Sequence, residues 1–457
     1  MFSEKHYLER RKKLRVKMQG ENILIFGHSD NPKNYRDNIY PFRQNSNFLY
    51  FAGHQIPDMA LVMTEDEDIL FGHKPTMDDI IWTGSLPTLQ KLGERCGVDK
   101  VMDISELASF LQKLIGKVHY LPPYRGESVL FLAQLLEQDP GQIKKGHSAQ
   151  LMKAVADLRN VKSEEEIQEI EFALSVSKKM YDAAIDTIRP GIYEYDIKEA
   201  IAHASRKEQC DYSFPPIVTI HGEVLHNHTY SNQALAGGLV LIDSGAETPE
   251  GYASDITRTF PVSGEFTPRQ KDIYEIVLSA QKQAIEAAAP EVMFRDMHLI
   301  SAQVITEGLI DLDLMKGDPE EAVKVGAHAL FYPHGLGHMM GLDVHDMEDL
   351  GDIVGYGPDL TRSQQFGLAF LRMARKLEPG FVFTVEPGIY FIPALIKQWQ
   401  SENKFSEFIN YDTVEKFMDF GGIRIEDDLL VTEKGHRVLG EGIVKEPEEI
   451  ETEFSAR

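Results

Sequence analysis

The stretch HGLGHMMGLDVHD, residues 334–346, sets three histidines and two aspartates among glycines. His334 and His338 stand four residues apart, a spacing that on a helix would aim both imidazoles at one zinc ion. Gly335 and Gly337 oppose a helix, and no glutamate follows His334, so the zincin arrangement is disfavoured. The stretch reads instead as a turn whose glycines let the backbone approach a neighbour closely while His338 projects inward. A lone histidine in such a place is more often a buried, hydrogen-bonded side chain than a ligand. The carboxylates elsewhere in the chain change that balance.

Four of them sit on or at the end of segments that read as strands. In LIDSGAE, Asp243 closes the run 239–242. In SDITRTFP, Asp255 shares a strand face with Thr257 and Thr259, while Ile256 and Phe260 take the other. In FVFTVEPG, Glu386 ends a run just before Pro387 and Gly388 stop the strand. In GGIRIEDD, Arg424 and Glu426 point away from Ile423 and Ile425. One strand-end carboxylate is ordinarily a turn residue. Four of them with a glycine-framed histidine concentrate charge that is costly to bury unless it is paired or bound to metal. Four negative charges and one neutral imidazole nitrogen match two divalent cations. Such cations, roughly 3.5–4 Å apart, lower the pKa of a shared water to about neutrality and supply a nucleophile. The oxygen-rich donor set suits Mn2+, with Co2+ or Zn2+ as substitutes.

The elements that must carry these residues follow from the patterning. ILIF at 23–26, MALVM at 59–63 and DILFGH at 68–73 read as strands, and ISELASFLQKLIG at 104–116 as a helix, so the first third is an α/β domain. Ser163 and Glu166 form a capping box, after which Ile167, Ile170, Leu174 and Tyr181 recur at helical spacing. The domain boundary is therefore expected near 150–162, giving an N-terminal domain over 1–155 and a catalytic domain over 156–457. From about 216 onward strand signals dominate, interrupted by helical segments at 268–289 and 295–311. No fixed-period repeat and no low-complexity tract interrupts this order.

Composition narrows the function. The 457 residues carry 47 basic and 72 acidic side chains, a formal charge of −25, which argues against a nucleic-acid partner. The basic N-terminus, MFSEKHYLERRKKLRVKMQG, has no apolar core of a signal peptide and reads as an amphipathic helix with a solvated basic face. Apolar residues make up 42%, with no run long enough to span a membrane. Two cysteines, Cys96 and Cys210, far apart, fit a reducing cytoplasm better than a disulfide framework.

Taken together, LIDSGAE, DITRTFP, HGLGHMMGLDVHD, TVEPGIYF and GGIRIEDD resemble the pita-bread metallopeptidases: aminopeptidase P, prolidase and, more distantly, methionine aminopeptidase and creatinase. YPFRQNSNFLYFAG at 40–53 is similar to the N-terminal domain of aminopeptidase P. The resemblance implies an α/β N-terminal domain followed by an α+β pita-bread catalytic domain, and hydrolysis of the bond between an N-terminal residue and a following proline. It implies that Asp243 binds one metal, that Asp255 and Glu426 bridge both, and that His338 and Glu386 complete the set. Glu386 would also act as general base, and His345 would hydrogen-bond the scissile peptide. His226 would lie near the substrate, with His228 its rival for that place, and His334 and Arg424 would line the pocket and support the ligands. Relatives with this N-terminal domain are commonly dimers or tetramers, which implies a homo-oligomer.

Two departures stand out. The interval from Asp243 to Asp255 is one residue longer than the family more often shows, in the turn GAETPEGYAS. The 40 residues from Glu386 to Glu426 are longer than in compact bacterial aminopeptidases P and similar to prolidase. That length suggests a segment at 392–420 closing over a short substrate, so an Xaa-Pro dipeptidase is the alternative to an Xaa-Pro aminopeptidase. A metal-free binding module is a remote third reading, since all five ligand positions are filled.

Overall fold

The computed structural model describes residues 2–440 and 442–456. The chain divides into two compact units. The first comprises Met1–Arg159 with Met347–Ile353, and the second Asn160–Asp346 with Val354–Arg457. The division falls four residues beyond 155, and a short segment just after Asp346 joins the first unit.

In the first unit five strands form a mixed sheet in the order Lys100–Asp103, Asp68–Gly72, Ala60–Met63, Asn22–Phe26, Val118–His119. The two outer pairings are parallel and the inner ones antiparallel. Leu24, Val62, Ile69 and Phe71 from the sheet pack with Val129 and Leu132 of the helix Gly126–Leu135. The helix expected over 104–116 is shorter. Asp103 caps a 3-10 turn, Ile104–Glu106, that runs into the α-helix Leu107–Leu111. Beyond it the backbone tightens, with Lys113 N–H bonding to Phe110 O and Leu114 N–H to Leu111 O.

In the N-terminal helix, Glu4–Lys17, the expected solvated basic face holds for Lys5, Lys12, Lys13 and Lys17 but not for two arginines. Arg10 and Arg11 are buried. Arg11 donates to Asp68 Oδ2 at 2.8 Å and to the carbonyls of Phe51, Cys96 and Gly97. Arg10 lies over the Tyr50 ring and bonds its carbonyl. Guanidinium groups have enough donors to fasten loop carbonyls that no strand satisfies, and here they cement the helix to the sheet.

The second unit places its strands so that the carboxylates converge. Leu239–Ser244 pairs antiparallel with both Ile256–Pro261 and Ile217–Thr219, setting Asp243 opposite Thr257 and Ile217. Val382–Val385 pairs with Asp427–Val431, and Gly388–Tyr390 with Gly422–Arg424. Glu386 and Glu426 thus leave adjacent strands at the same level. The flanking helices Glu164–Thr187, Pro268–Glu286 and Phe294–Asp311 begin near the expected residues, the first at the Ser163 capping box, and Glu194–Lys207 adds a helix that the patterning had not marked. No described helix is long and apolar enough to cross a membrane.

Replacing Arg11 by Met leaves three carbonyls without their donor. This should cost about 3 kcal/mol of stability, seen as a lower urea midpoint with helical circular dichroism retained. An unchanged midpoint would show that the guanidinium is replaceable.

Candidate active site

The turn 334–346 is not helical, and Gly337 shows why it needs glycine. A Cβ there would lie 2.0 Å from the carbonyl oxygen of Thr384. This close approach lets His338 and Thr384 bond twice: Thr384 N–H donates to His338 O, and His338 N–H donates to the Thr384 hydroxyl. Glu386 N–H donates to Leu336 O in the same way, so the turn is laid along the strand that ends in Glu386.

A cavity of about 360 Å³ opens over this junction. Asp243, Asp255, His338, Glu386 and Glu426 all line it, as do His226, His228, His334, His345 and Arg424. None of the residues singled out from the sequence lies elsewhere. Oxygen or nitrogen atoms of Asp255, His338 and Glu426 come within 4.8 Å of one another, a group that could hold a metal ion.

The hydrogen-bond directions can be worked out. His338 Nδ1 faces the Met339 carbonyl at 3.1 Å and must be the protonated nitrogen. Its Nε2 lone pair is then directed to Asp255 Oδ2, 3.4 Å away, and Glu386 Oε1, 3.7 Å away. Burial, then the neighbouring His345, holds the His338 pKa well below its ordinary value, so the ring is neutral and able to ligate. On the other side, Arg424 Nη2 donates to Asp243 Oδ2 at 2.6 Å, and Nε donates to the Thr257 hydroxyl, which donates to Glu426 Oε2 at 2.7 Å. Arg424 Nη1 donates to the Tyr390 hydroxyl. His334 Nδ1 is committed to Gly335 O, so its Nε2 accepts the Tyr390 proton at 2.8 Å. Burial, then Arg424, lowers the His334 pKa to about 3, which agrees with that neutral tautomer.

The carboxylates are out of balance with their surroundings. Burial and then Glu426 push the Asp255 pKa well up; burial and then Glu386 do the same to Glu426. Burial pushes Glu386 up to about 7. Asp243 Oδ1 and Asp255 Oδ1 are buried with no hydrogen-bond partner among the described residues. Unpaired carboxylate oxygens beside a neutral imidazole lone pair fit hard divalent cations and fit an apolar or anionic ligand poorly.

Sequence patterning missed the residues between the ligands. Tyr390 joins Arg424 to His334, Thr257 joins Arg424 to Glu426, and Asp428 accepts from Asp255 N–H at 3.1 Å. Arg372 and Phe370 also line the cavity, and both are exposed. The strand alternation that put Thr257 with Asp255 was a usable signal; nothing local marked Tyr390 or Arg372. The 392–420 connection contributes no lining residue to this cavity. It forms the helices Pro393–Ser401 and Tyr411–Val414 and packs elsewhere, with Asn410 N–H on Leu314 O and Lys316 N–H on Phe408 O. Its length is therefore not evidence for a lid.

Comparison with known proteins places this geometry. The profile of metallopeptidase family M24 matches residues 168–433, more than half the chain. The chain belongs to metallopeptidase family M24. Residues 7–121 match the aminopeptidase P N-terminal domain. The chain is 32% identical to an Xaa-Pro aminopeptidase of Escherichia coli (strain K12) over 98% of its own length and 97% of that protein's. It is 30% identical to an Xaa-Pro aminopeptidase of Haemophilus influenzae, covering 98% and 96%. Among solved structures, zinc-substituted E. coli aminopeptidase P in complex with product superposes with a TM-score of 0.81 at 30% identity, covering 100% and 99% of the two chains. Pseudomonas aeruginosa aminopeptidase PepP gives 0.83 at 29%, covering 100% and 98%. Like other M24 members this chain is a metal-dependent peptidase, with the pita-bread catalytic fold behind an aminopeptidase P-type N-terminal domain.

The Glu386 shift has a sign that can be checked on metal-free protein. Its pKa is raised from an ordinary 4.5 to about 7, so between those values the folded chain holds a proton that the unfolded chain has lost. Stability should fall as pH rises through that window. Urea midpoints of chelator-treated protein should decline toward pH 7, and Glu386→Gln should shallow the decline. A slope identical in both proteins would place the proton on another group.

Proposed function

We propose that this M24 peptidase is an Xaa-Pro aminopeptidase, hydrolysing the bond between an N-terminal residue and a following proline. The observation that carries the reading is the convergence of Asp243, Asp255, His338, Glu386 and Glu426 on one cavity, with two buried carboxylate oxygens unpaired, in a chain similar to Xaa-Pro aminopeptidases along almost its whole length. Asp243, Asp255, His338, Glu386 and Glu426 would hold two divalent cations. Such cations would supply an ionised water and Lewis acidity toward the scissile carbonyl, and Mn2+ suits the oxygen-rich set best. Glu386 takes the proton from the attacking water. His345 donates to the carbonyl oxygen as it gains charge. His226, or His228 beside it, flanks the substrate. His334 walls the proline side of the cavity in neutral form, and Arg424 fixes Asp243 while balancing its charge.

A second reading, an Xaa-Pro dipeptidase, draws on Arg372, an exposed cation lining the cavity that suits the free carboxylate of a dipeptide. Matched substrates separate the two. The Mn2+-loaded protein should cleave Xaa-Pro-Yaa-Yaa after its first residue. Glu386→Ala should lose about 10²–10⁴-fold in kcat. Chelation should abolish turnover, and Mn2+ should restore it better than Zn2+ or Co2+. Turnover of the dipeptide alone, lost in Arg372→Met, would establish the dipeptidase instead.

A homo-oligomer, dimer or tetramer, fits the helix Met77–Thr83, which buries none of its residues and exposes Ile81 and Trp82. Light scattering on the purified chain tests this. A cytoplasmic location accords with two free, buried cysteines.

A further inference from the structure

Lys162 and Asp346 lie 184 positions apart, yet Lys162 Nζ and Asp346 Oδ2 meet at 3.0 Å, and both side chains are 1% exposed. Neither residue lines the cavity. A buried ion pair costs desolvation on both sides, and its best-attested benefit is to specify one arrangement. Here the arrangement is the turn that carries His345. Asp346 follows His345 directly. Its N–H donates to the Met339 carbonyl, the same oxygen that accepts the His338 Nδ1 proton. Its other carboxylate oxygen accepts from Asp343 N–H at 3.4 Å. The His345 ring stands against the His338 ring, with centroids 4.2 Å apart.

Both ends of the strut are fixed. Lys162 N–H donates to Gly380 O at 2.8 Å, and the next residue, Ser163, caps the long helix Glu164–Thr187. Gly341 makes room for the pair. A Cβ at that position would lie 2.7 Å from Asp346 Oδ2 and 3.0 Å from Lys162 Cε. One glycine of the histidine-rich stretch is thus explained by a lysine outside it.

We propose that Lys162 is a positioning residue for catalysis, holding His345 in register with His338 through its buried ion pair with Asp346. The inference rests on the reading of His345 as the donor to the substrate carbonyl.

The test is a mutant cycle on the full-length, Mn2+-loaded protein. Lys162→Met should lower kcat by about 10- to 100-fold with KM and the Mn2+ titration unchanged, and Lys162→Arg should recover part of the loss. Adding His345→Ala to Lys162→Met should cost nothing beyond His345→Ala alone, because both remove one contribution. Lys162→Met takes the lysine cation away from a buried carboxylate, so the neutral pair Lys162→Met with Asp346→Asn, and Gly341→Ala, which splays the pair without changing charge, enter the same cycle. Additive losses with His345→Ala, or full kcat in a folded variant whose pair is broken, would overturn the proposal while leaving the peptidase reading intact. A His345→Ala protein as active as wild type would instead remove the donor role of His345, and this inference with it.

Discussion

Four carboxylates crowd one buried space in this protein, and their mutual repulsion governs the rest of the catalytic unit. At about 4 Å two unit charges repel by about 4 kcal/mol at an effective dielectric of ~20. That is several times the net worth of an ordinary hydrogen bond, about 1 kcal/mol. Side-chain hydrogen bonds alone cannot assemble such a site. It is assembled by backbone register: Asp243 opposite Thr257, Val385 opposite Asp427, Gly388 opposite Arg424. Each ladder holds its strand in place against that repulsion, and the whole unit lends its stability to it.

Arg424 is the protein's own counterweight. It touches Asp243 directly, approaches Glu386 at 4.0 Å and reaches Glu426 through the Thr257 hydroxyl. One guanidinium cannot neutralise four carboxylates, and burial, with the neighbouring carboxylates adding to it, displaces Asp255, Glu386 and Glu426 upward. Burial keeps the nearby histidines uncharged, helped by Arg424 at His334 and by His345 at His338. With His334 and His338 neutral and their tautomers set by Gly335 and Met339 carbonyls, the imidazoles present lone pairs where lone pairs are wanted.

The site was legible in the sequence to the extent that it is written in strand ends. Asp243 and Glu386 each follow an apolar run whose burial is predictable, and alternation aligned Asp255 with Thr257 and Glu426 with Arg424. Gly337 was legible as a close approach, though its partner, the Thr384 carbonyl, lies in a distant strand. What patterning could not supply were contacts made across sequence distance: Tyr390 between Arg424 and His334, or Asp428 beneath Asp255. Two arginines of the basic N-terminal helix misled for a related reason. A run such as ERRKK looks solvated because local sequence shows its charges and not the carbonyls of Phe51, Cys96 and Gly97 that await them. The helix expected over 104–116 failed on length, since periodicity marks a buried face but not where the backbone tightens into a turn.

The connection between Glu386 and Glu426 carries one more consequence. Its two ends are clasped by the pairing of Gly388–Tyr390 with Gly422–Arg424, and what lies between lines no part of the cavity. Closing a longer excursion between clasped ends is cheap in chain entropy, about 0.6 kcal/mol for each doubling of length. Segments can therefore be gained or lost there without moving either glutamate. In this fold the stretch is a natural point for insertion, open to drift in length and to engineered grafts, while the chemistry on both sides of the clasp stays in place.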